Sequence, residues 1–386
     1  MALLKELTID GKGSYGIGAS AVEKRDDLYT YLRITDIRDD GTLNLADLKS
    51  VSDPDAPNYL LSPNDIVFAR TGASTGRNYF YDGSDGEFVY AGFLIKFSID
   101  PQMVNPLYIK YYCQSVQYRN WIKSFSTGST RGNINAQTLG NMYIPLPSRE
   151  QQDFLVNTLV PIDAKIKLNN QINDNLEQQL HMLYTKLFAK STMDTVLGDV
   201  VKTTSGGTPS RKHGEYYDHG NICWVKSKEL LGGYLLDTEE HINELAVSKS
   251  SAKLLPSHSV LIAMYGATVG AYSIISKPMT CNQAVCALLS NENYPYTYLF
   301  QVACESQQQL INLAVGSAQQ NISQVLIKQL PIHSNKGDIQ EFHSLAQPIH
   351  KRMEALNAEN ILLTDTRDTL LPKFMSGELD VSKLDI

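Results

Sequence analysis

The chain contains one series of motifs twice, and this internal repeat restricts the fold more than any other feature of the sequence. "LLSPNDIVFARTGASTG" (60–76) matches "LLPSHSVLIAMYGATVG" (254–270), and both glycines of each motif coincide in the alignment. Further on, "TGSTRGNIN" (127–135) matches "VGSAQQNIS" (315–323), with Gly, Ser, Asn and Ile at the same positions. The repeat therefore predicts two similar domains in one chain.

The stretch that closes each copy also repeats, because "MLYTKLFAKS" and "LLPKFMSGEL" align with Lys186 on Lys373. The front part of each copy mixes short β-branched and aromatic runs with Gly, Asp and Asn turns, as compact α/β domains do. The back part has the pattern of a helix. The predicted boundaries are 1–147 for the first globular domain, 148–192 for a central helical spacer, 193–335 for the second globular domain and 336–386 for a distal helical spacer with the C-terminal tail.

Capping and proline signals place the first helical segment. Ser148 followed three residues later by Gln151 forms a capping box, which predicts a helix start. Pro161 is expected to interrupt this helix, because proline lacks the backbone N–H and clashes with the preceding turn. A longer helix is then predicted to run to Phe188.

Apolar residues recur in heptads along both helical segments, with polar residues interrupting the pattern at Asn169, Asn173, Asn360 and Arg367. Asn173 and Asn360 occupy equivalent positions of the repeat, and a buried Asn in a heptad fixes register and partner. The pattern favours two helices that pair with each other. The alternative is that these are surface helices with chance polar residues. The residues predicted to pair the helices are Ile166, Asn173, Leu176, Leu180, Leu183, Met353, Asn360, Leu363 and Leu370.

Size and composition indicate a globular protein with two hydrophobic cores. At 386 residues, with 42% hydrophobic and 19% charged residues, the chain exceeds the usual size of one domain. No apolar run approaches the ~18 residues of a membrane span, and no basic-then-apolar leader follows Met1, so a cytoplasmic location is expected. The net charge of −7 argues against an isolated nucleic-acid binder. If the chain binds DNA, its basic groups must cluster or come partly from a partner.

The sequence predicts neither a catalytic nor a metal site. The five cysteines include no CxxC pair, and the eight histidines show no HExxH or other paired ligand spacing. The Asn/Asp-Pro-Pro-Tyr/Phe motif of adenine methylation is missing, since "SDPDAPN" lacks the Pro-Pro-aromatic part. No strand is followed by a glycine-rich S-adenosylmethionine loop.

A family resemblance emerges from the second copy. "SGGTPSRKHGEYYDHGNICWVKSKEL" (205–230), the Gly266 and Gly270 pair, the "GSAQQNIS" turn and the "LLPKFMSGEL" terminus resemble the specificity (S) subunit of type I restriction-modification systems. The resemblance covers nearly the whole chain. It implies a mixed α/β fold, with two tandem target-recognition domains separated by two long antiparallel coiled-coil helices. Each domain would read one half of a bipartite DNA site, and the helices would set the gap.

The resemblance also implies the partners and cofactors. An S subunit binds double-stranded DNA and recruits two methyltransferase (M) subunits and, in the full complex, restriction (R) subunits. It performs no catalysis and holds no cofactor: S-adenosylmethionine belongs to M, and ATP and Mg belong to R. Because the first copy has "DGKGSYGIGASAV" where the second has "GGTPS", the two halves of the site should differ. The alternatives are a fused adenine methyltransferase-specificity protein, or a helical scaffold that does not bind DNA.

Base reading needs Arg, Asn, Gln or hydroxyl side chains on loops that a rigid domain can insert into the major groove. Such side chains cluster in the repeated motifs, and "GGTPSRK" and Lys226 add base or phosphate contacts. For the glycines Gly72, Gly76, Gly266 and Gly270, shaping a hairpin or a tight crossover inside the core is favoured over contact with a ligand. Lys226 can equally be a solvated surface charge. The predicted DNA-binding residues are Arg70, Thr71, Ser74, Thr75, Arg77, Thr130, Arg131 and Asn133 in the first domain, and Thr208, Ser210, Arg211, Lys212, Lys226, Tyr265, Thr268, Gln319, Gln320 and Asn321 in the second.

Overall fold

The computed structural model describes residues 1–45, 47–125, 133–315 and 321–376, together with Glu378. The chain divides into two compact units. The first unit comprises Met1–Asp163 and the C-terminal segment from Thr364, and the second comprises Ala164–Leu363. The boundaries fall inside the two long helices, so each of these helices contributes residues to both units.

The first unit contains short strands and helices before its long helix. The strands are β1 (Ala2–Leu3), β2 (Ser14–Tyr15), β3 (Ala21–Val22), β4 (Tyr29–Leu32), β5 (Lys49–Val51), β6 (Asp65–Ala69), β7 (Asn78–Tyr81), β8 (Phe88–Tyr90), β9 (Leu94–Ser98) and β10 (Tyr143–Ile144). The helices are α1 (Pro106–Tyr112), α2 (Val116–Lys123), α3 (Ala136–Gly140) and α4 (Arg149–Phe188), whose last part belongs to the second unit.

Two four-stranded sheets form the centre of the first unit, in the orders β2-β9-β6-β7 and β3-β5-β4-β8, and β1 pairs with β10. Strand β6, "DIVFA", is buried at every position. After Asp65 it is a continuous apolar run, as expected for a strand covered on both faces. The strand pairs antiparallel with both β7 and β9, which makes it an inner strand of its sheet.

The second unit has a similar order of strands, with two additional short helices. Its strands are β11 (Met193–Val196), β12 (Lys202–Ser205), β13 (Ile222–Val225), β14 (Tyr234–Leu235), β15 (His241–Ile242), β16 (Val260–Ala263), β17 (Tyr272–Ile275), β18 (Thr280–Cys281), β19 (Val285–Leu289) and β20 (Pro331–His333). Its helices are the additional α5 (Leu197–Val200) and α6 (Glu244–Lys249), followed by α7 (Tyr296–Val315), α8 (Gln324–Lys328) and α9 (Lys336–Ser376), whose last part belongs to the first unit.

The sheets of the second unit have the orders β12-β19-β16-β17-β14, β15-β13-β18 and β11-β20. Strand β16 is buried at every position and pairs antiparallel with β17 and β19, as β6 does with β7 and β9. One helix, α7, occupies the place in the chain order where the first unit has α1 and α2. The first repeated motif of the sequence therefore folds into an equivalent strand in each unit, β6 and β16.

Helix α4 is continuous for 40 residues, so the prediction that Pro161 interrupts it is wrong. The repeat places Pro348 at the equivalent position inside the 41-residue helix α9. Buried side chains near the proline, including Leu159, anchor α4 to the core of the first unit. This packing outweighs the ~3 kcal/mol that an internal proline costs. At the helix start, the Ser148 and Gln151 side chains exchange hydrogen bonds with each other's backbone N–H, as the capping box predicts.

The two long helices run antiparallel and pack together in both units. In the first unit, Asp163 of α4 pairs with Arg367 of α9, and Phe154 contacts Phe374 at a ring distance of 5.8 Å. In the second unit the buried Asn169 donates to Asn360 Oδ1 at 2.9 Å. The prediction of a mixed α/β fold with two long antiparallel helices is confirmed.

The asparagines of the two helices form a symmetric pair of hydrogen bonds. Asn173 Nδ2 donates to Asn357 Oδ1 at 2.7 Å, and Asn360 Nδ2 donates to Asn170 Oδ1 at 2.8 Å. When the two copies are aligned, each of these bonds takes the position of the other. Of the apolar residues predicted to pair the helices, Leu180 and Met353 are buried; the others are Ile166, Leu176, Leu183, Leu363 and Leu370, which are half-buried.

Candidate nucleic-acid interface

The first repeated motif forms a tight hairpin turn between β6 and β7. Ala69 N donates to Arg77 O, and Gly76 N donates to Ala69 O, which closes the turn. Gly72 and Gly76 have φ values of 75° and 87°, a region that side chains disfavour. A Cβ on Gly76 would also lie 2.4 Å from the Ile122 side chain. These glycines therefore shape the hairpin.

Backbone hydrogen bonds join the second repeated motif to this hairpin. Ile134 N donates to Arg70 O at 2.9 Å, and Thr71 and Asn133 form an isolated antiparallel bridge. The two motifs are distant in the chain, but these bonds place them side by side in the fold. Asn133 is exposed at this junction. We call residues 70–77 and 133–135 the first loop pair.

The second unit builds the same junction from equivalent residues. Ile322 N donates to Met264 O at 2.9 Å, and Tyr265 forms an isolated antiparallel bridge with Asn321. Asn321 Oδ1 also accepts from Gly266 N at 3.3 Å. Residues 264–270 and 321–323 are the second loop pair. The structure therefore brings together the motifs that the sequence analysis selected in each domain.

Arg70 is held beside an aromatic ring in the first loop pair. Its guanidinium carbon lies 5.0 Å from the centre of the Tyr15 ring, a cation–π arrangement. Arg70 Nε is buried and has no hydrogen-bond partner among the described residues. Tyr15 is itself fixed, because its hydroxyl accepts from Ala136 N at 3.1 Å. The sequence analysis missed Tyr15, which belongs to β2 and is far from Arg70 in the chain.

Other polar residues of the first loop pair bind within the domain. Arg77 pairs with Asp39 at 2.7 Å and also donates to Ile37 O at 3.2 Å. The Thr75 hydroxyl donates to Gly72 O at 2.8 Å, and Ser74 is buried. These contacts stabilise the turn. Thr71 is half-buried, and Asn133 is exposed.

A network of charged and aromatic residues lies near the start of the second domain. Arg211 stacks over Tyr217 at 4.2 Å and over Trp224 at 5.6 Å. Both Arg211 and Lys226 form ion pairs with Glu240. The Lys226 ammonium, assisted by Arg211, holds the pKa of the Glu240 carboxyl below its usual range. Glu240 therefore stays ionised at neutral pH, and its two carboxylate oxygens accept hydrogen bonds from Arg211 and Lys226.

The remaining predicted residues fall into two groups. Ser210 and Lys212 are exposed, Thr208 donates to Gln283 Oε1, and Thr268 donates to Tyr265 O at 3.0 Å. The residues that lie outside the described part of the chain are Thr130, Arg131, Gln319 and Gln320. The sequence analysis also missed Glu240, because its cationic partners are distant in the chain and no local pattern joins them.

This chain contains two DNA-specificity domains in tandem. The type I restriction modification DNA specificity domain matches residues 25–178 and again residues 191–345. The chain therefore belongs to this family, and the predicted resemblance is confirmed. In the described part of the chain, no helix combines the length and apolar character needed to cross a membrane.

Individual specificity subunits match most of the chain. The type I restriction enzyme MjaIX specificity subunit of Methanocaldococcus jannaschii is 25% identical over 309 residues, which cover 72% of this chain and 70% of the relative. The HindI specificity subunit of Haemophilus influenzae is 20% identical over 93% of this chain and 97% of its own length. The crystal structure of an S subunit from M. genitalium aligns over 95% of this chain and 94% of its own, with 17% identity and a TM-score of 0.53, which shows a shared fold.

Proposed function

We propose that this chain is the non-catalytic DNA-reading subunit of a type I restriction-modification complex, and that each domain reads one half of an asymmetric bipartite site. The observation that carries the proposal is the duplicated loop pair. Each domain holds two motifs together with the same backbone hydrogen bonds, Ile134 to Arg70 and Ile322 to Met264. A rigid frame with variable polar side chains suits the direct readout of base edges.

The side chains on the two frames support different sequences for the two half-sites. The first frame carries Arg70 and Thr71, whereas the second carries Met264 and Tyr265 at the equivalent positions. Arginine pairs with the acceptor edge of guanine, which methionine cannot do. Two readers with unlike side chains select unlike half-sites, and the complete site is then asymmetric.

We further propose that M subunits supply the methylation chemistry and much of the positive charge. The chain has no adenine-methylation motif, and its net charge is −7. Several of its candidate basic residues, including Arg77 and Lys226, already have carboxylate partners. Counterion release dominates DNA affinity, so it would come largely from a basic partner that encloses the duplex. S-adenosylmethionine would then be bound by M, and ATP and Mg by an R subunit.

The paired helices support a role as the connection that sets the gap between the half-sites and presents M-binding surface. The polar contacts between α4 and α9 fix one register, because a shift along either helix would break the Asn173–Asn357 and Asn170–Asn360 hydrogen bonds together. A fixed register is what a connection of defined length requires.

The test is reconstitution with an M subunit. The purified chain alone should neither bind S-adenosylmethionine nor methylate DNA, and addition of M should produce N6-methyladenine at one bipartite sequence. Sequencing the methylated bases in a host that expresses both subunits gives the site directly. Replacing only the loop pair of the first domain should change one half-site and leave the other unchanged. Methyl transfer by the chain alone, or a change in both half-sites, would contradict the proposal.

A further inference from the structure

Three side chains with metal-binding atoms meet in the second domain, away from its loop pair. Cys223 in β13 and His241 in β15 are directly opposite each other in an antiparallel register. Directly opposite residues of an antiparallel pair have side chains on the same face. The chain between the two strands passes through β14 and brings Asp237 to the same place, where Asp237 Oδ1 lies 3.1 Å from Cys223 Sγ and 2.9 Å from His241 Nε2.

The distances between these atoms are close to those that a tetrahedral zinc ion would require. Zinc–sulfur, zinc–nitrogen and zinc–oxygen bonds of about 2.3, 2.05 and 2.0 Å place the ligand atoms of a tetrahedron roughly 3.3 to 3.6 Å apart. Cys223 Sγ and His241 Nε2 are 3.6 Å apart, which already matches. The two distances to Asp237 are a few tenths of an ångström shorter, as expected for hydrogen bonds between the same groups. The Asp237 side chain is 58% exposed and can turn outward by this amount.

Burial of the three residues leaves one side of the cluster open. Cys223 is buried in an apolar cluster with Val225 and Met279, which fixes the sulfur. His241 is half-buried, and Asp237 faces solvent. An ion can therefore enter from the Asp237 side, and a water molecule can complete the fourth position.

We propose that Cys223, Asp237 and His241 form a binding site for a divalent transition metal, with zinc as the ion that fits best. A thiolate and an imidazole favour zinc over magnesium or calcium, which prefer oxygen ligands. The sequence analysis did not predict this site because the spacing of its ligands matches no metal-binding motif that it considered. Only the register between β13 and β15 brings them together.

The first domain lacks the equivalent residues, so the proposed site belongs to the second domain alone. Val225 pairs in parallel with Cys281, and Leu32 pairs in the same way with Tyr90, so Val225 and Leu32 are at equivalent positions. Two residues earlier in each strand, Thr30 is therefore the equivalent of Cys223. The strand partner of Thr30 is Ser50, where the second domain has His241. Neither Thr nor Ser is a usual zinc ligand.

The proposed ion would connect both ends of the segment from Cys223 to His241. This segment includes Lys226 and Glu240, whose ion pair belongs to the charged network described above. Metal binding to the folded state alone stabilises that state by mass action. The second domain should therefore resist thermal unfolding better with zinc, and the charged network should keep its arrangement to a higher temperature.

One neighbouring charge opposes the ion and provides a sensitive test. Lys277 Nζ lies 3.8 Å from Asp237 Oδ1, and its side chain is 52% exposed. The ammonium must move away when a cation binds. Lys277→Gln removes this repulsion while leaving all three ligands in place, so the variant should bind the metal more tightly than the unchanged protein.

Cobalt provides the direct readout, because a Co²⁺–thiolate bond gives a charge-transfer absorption that oxygen and nitrogen ligands do not. The full chain, freed of metal with a chelator, is titrated with CoCl₂ and then with ZnCl₂. We expect the band to saturate at one Co²⁺ per chain and to disappear when Zn²⁺ is added. His241→Ala should weaken Co²⁺ binding by at least about tenfold, which is the lower end of the effect of losing even an outer-shell partner.

Cysteine variants distinguish this site from other thiols. Cys223→Ser should abolish the band, whereas the control Cys304→Ser, at a half-buried cysteine outside the cluster, should retain it. If Cys223→Ser does not fold, as judged by circular dichroism, Asp237→Asn and His241→Gln test the same site at more exposed positions. The proposal is overturned if no band appears, if the band survives in Cys223→Ser, or if it is lost in Cys304→Ser. A cluster held by hydrogen bonds alone would give the first of these results.

Discussion

The ion pair between Asp163 and Arg367 allows the pairing of the long helices to be measured. Asp163 Oδ1 accepts from Arg367 Nη1 at 3.2 Å, and its other oxygen accepts from the Tyr111 hydroxyl at 2.9 Å and from Lys110 Nζ at 3.2 Å. These residues come from α1, α4 and α9. The side chains of Asp163 and Arg367 are only 22% and 19% exposed. The pair therefore joins the end of α9 to the core of the first unit.

We predict that Arg367→Leu lowers the free energy of unfolding of the first unit by about 2 kcal/mol. Exposed ion pairs contribute about 0.2 to 1 kcal/mol, and breaking a fully buried pair costs about 3 to 5 kcal/mol. The burial of this pair is intermediate, so the free energy lost when the pair is broken should lie between these ranges. The Tyr111 and Lys110 hydrogen bonds continue to stabilise the carboxylate of Asp163, which keeps the cost from the upper range. For a unit of this size, about 2 kcal/mol corresponds to a fall in Tm of roughly 4 to 8 °C.

Thermal unfolding of Arg367→Leu, Asp163→Asn and the double variant gives a coupling energy, which isolates the interaction from other effects of each substitution. The same cycle on Arg149 and Asp153 is the control, because both residues lie in α4, as Asp163 does, but their side chains are 52% and 42% exposed. The control coupling should be about 0.3 to 0.5 kcal/mol. A coupling between Asp163 and Arg367 no larger than that of the control would refute the argument from burial.

Two further predictions concern a buried histidine and the loop pairs. Burial lowers the pKa of His350 from its ordinary value to about 3, and the neighbouring His258 and His343 act in the same direction. Between that pKa and about 6.5 the unfolded chain binds a proton that the folded chain does not, so acidification from about pH 7 to about pH 5 should destabilise the second unit by about 2 kcal/mol. The pH series of His350→Phe should lack this component, and an equal pH dependence in both proteins would contradict the assignment. Arg131→Ala or Gln320→Ala should weaken recognition of one half-site only, by roughly 1 to 3 kcal/mol for a bidentate base contact, as measured with DNA altered in either half. An equal loss on specific and random DNA would instead indicate a phosphate contact.

The repeat and its apolar runs were sufficient to predict the duplicated fold. "DIVFA" and "VLIA" lie at equivalent places in the two copies, and each becomes a fully buried inner strand, because a run with so few polar residues must be covered on both sides. The capping box at Ser148 was equally reliable, since its hydrogen bonds are local. The continuity of α4 through Pro161 could not be predicted from local rules, because tertiary packing decides it.

Contacts between distant residues limited the prediction of the candidate site. The positions of Arg70 and Asn133 follow from repeated motifs, but the Tyr15 ring that lies against Arg70 comes from β2. Likewise, an Arg in a loop is interpreted from sequence as a free cation. Only the fold shows that a carboxylate is its partner, as Asp39 is for Arg77. The cluster around Cys223 depends on strand register alone. In each case the missing information is which side chains of different elements meet.

Some contacts between the long helices are exchanged with each other when the two copies are aligned, and others are not. Only a contact of the second kind can distinguish one copy from the other. The Asn173–Asn357 and Asn170–Asn360 bonds are exchanged when the two copies are aligned. Bonds that are equivalent in this way fix the register of the helices but cannot distinguish one copy from the other. Asp163 and Arg367 can distinguish the copies, because the same alignment places His350 at the position of Asp163 and Leu180 at the position of Arg367. Both of these residues are buried, and they do not form an ion pair. Pairing the first helical segment with a second copy of itself would place the carboxylate of Asp163 against Leu180 and leave it without the guanidinium. The Asp163–Arg367 pair therefore favours the association of the two unlike helices, which is the arrangement that an asymmetric reader requires.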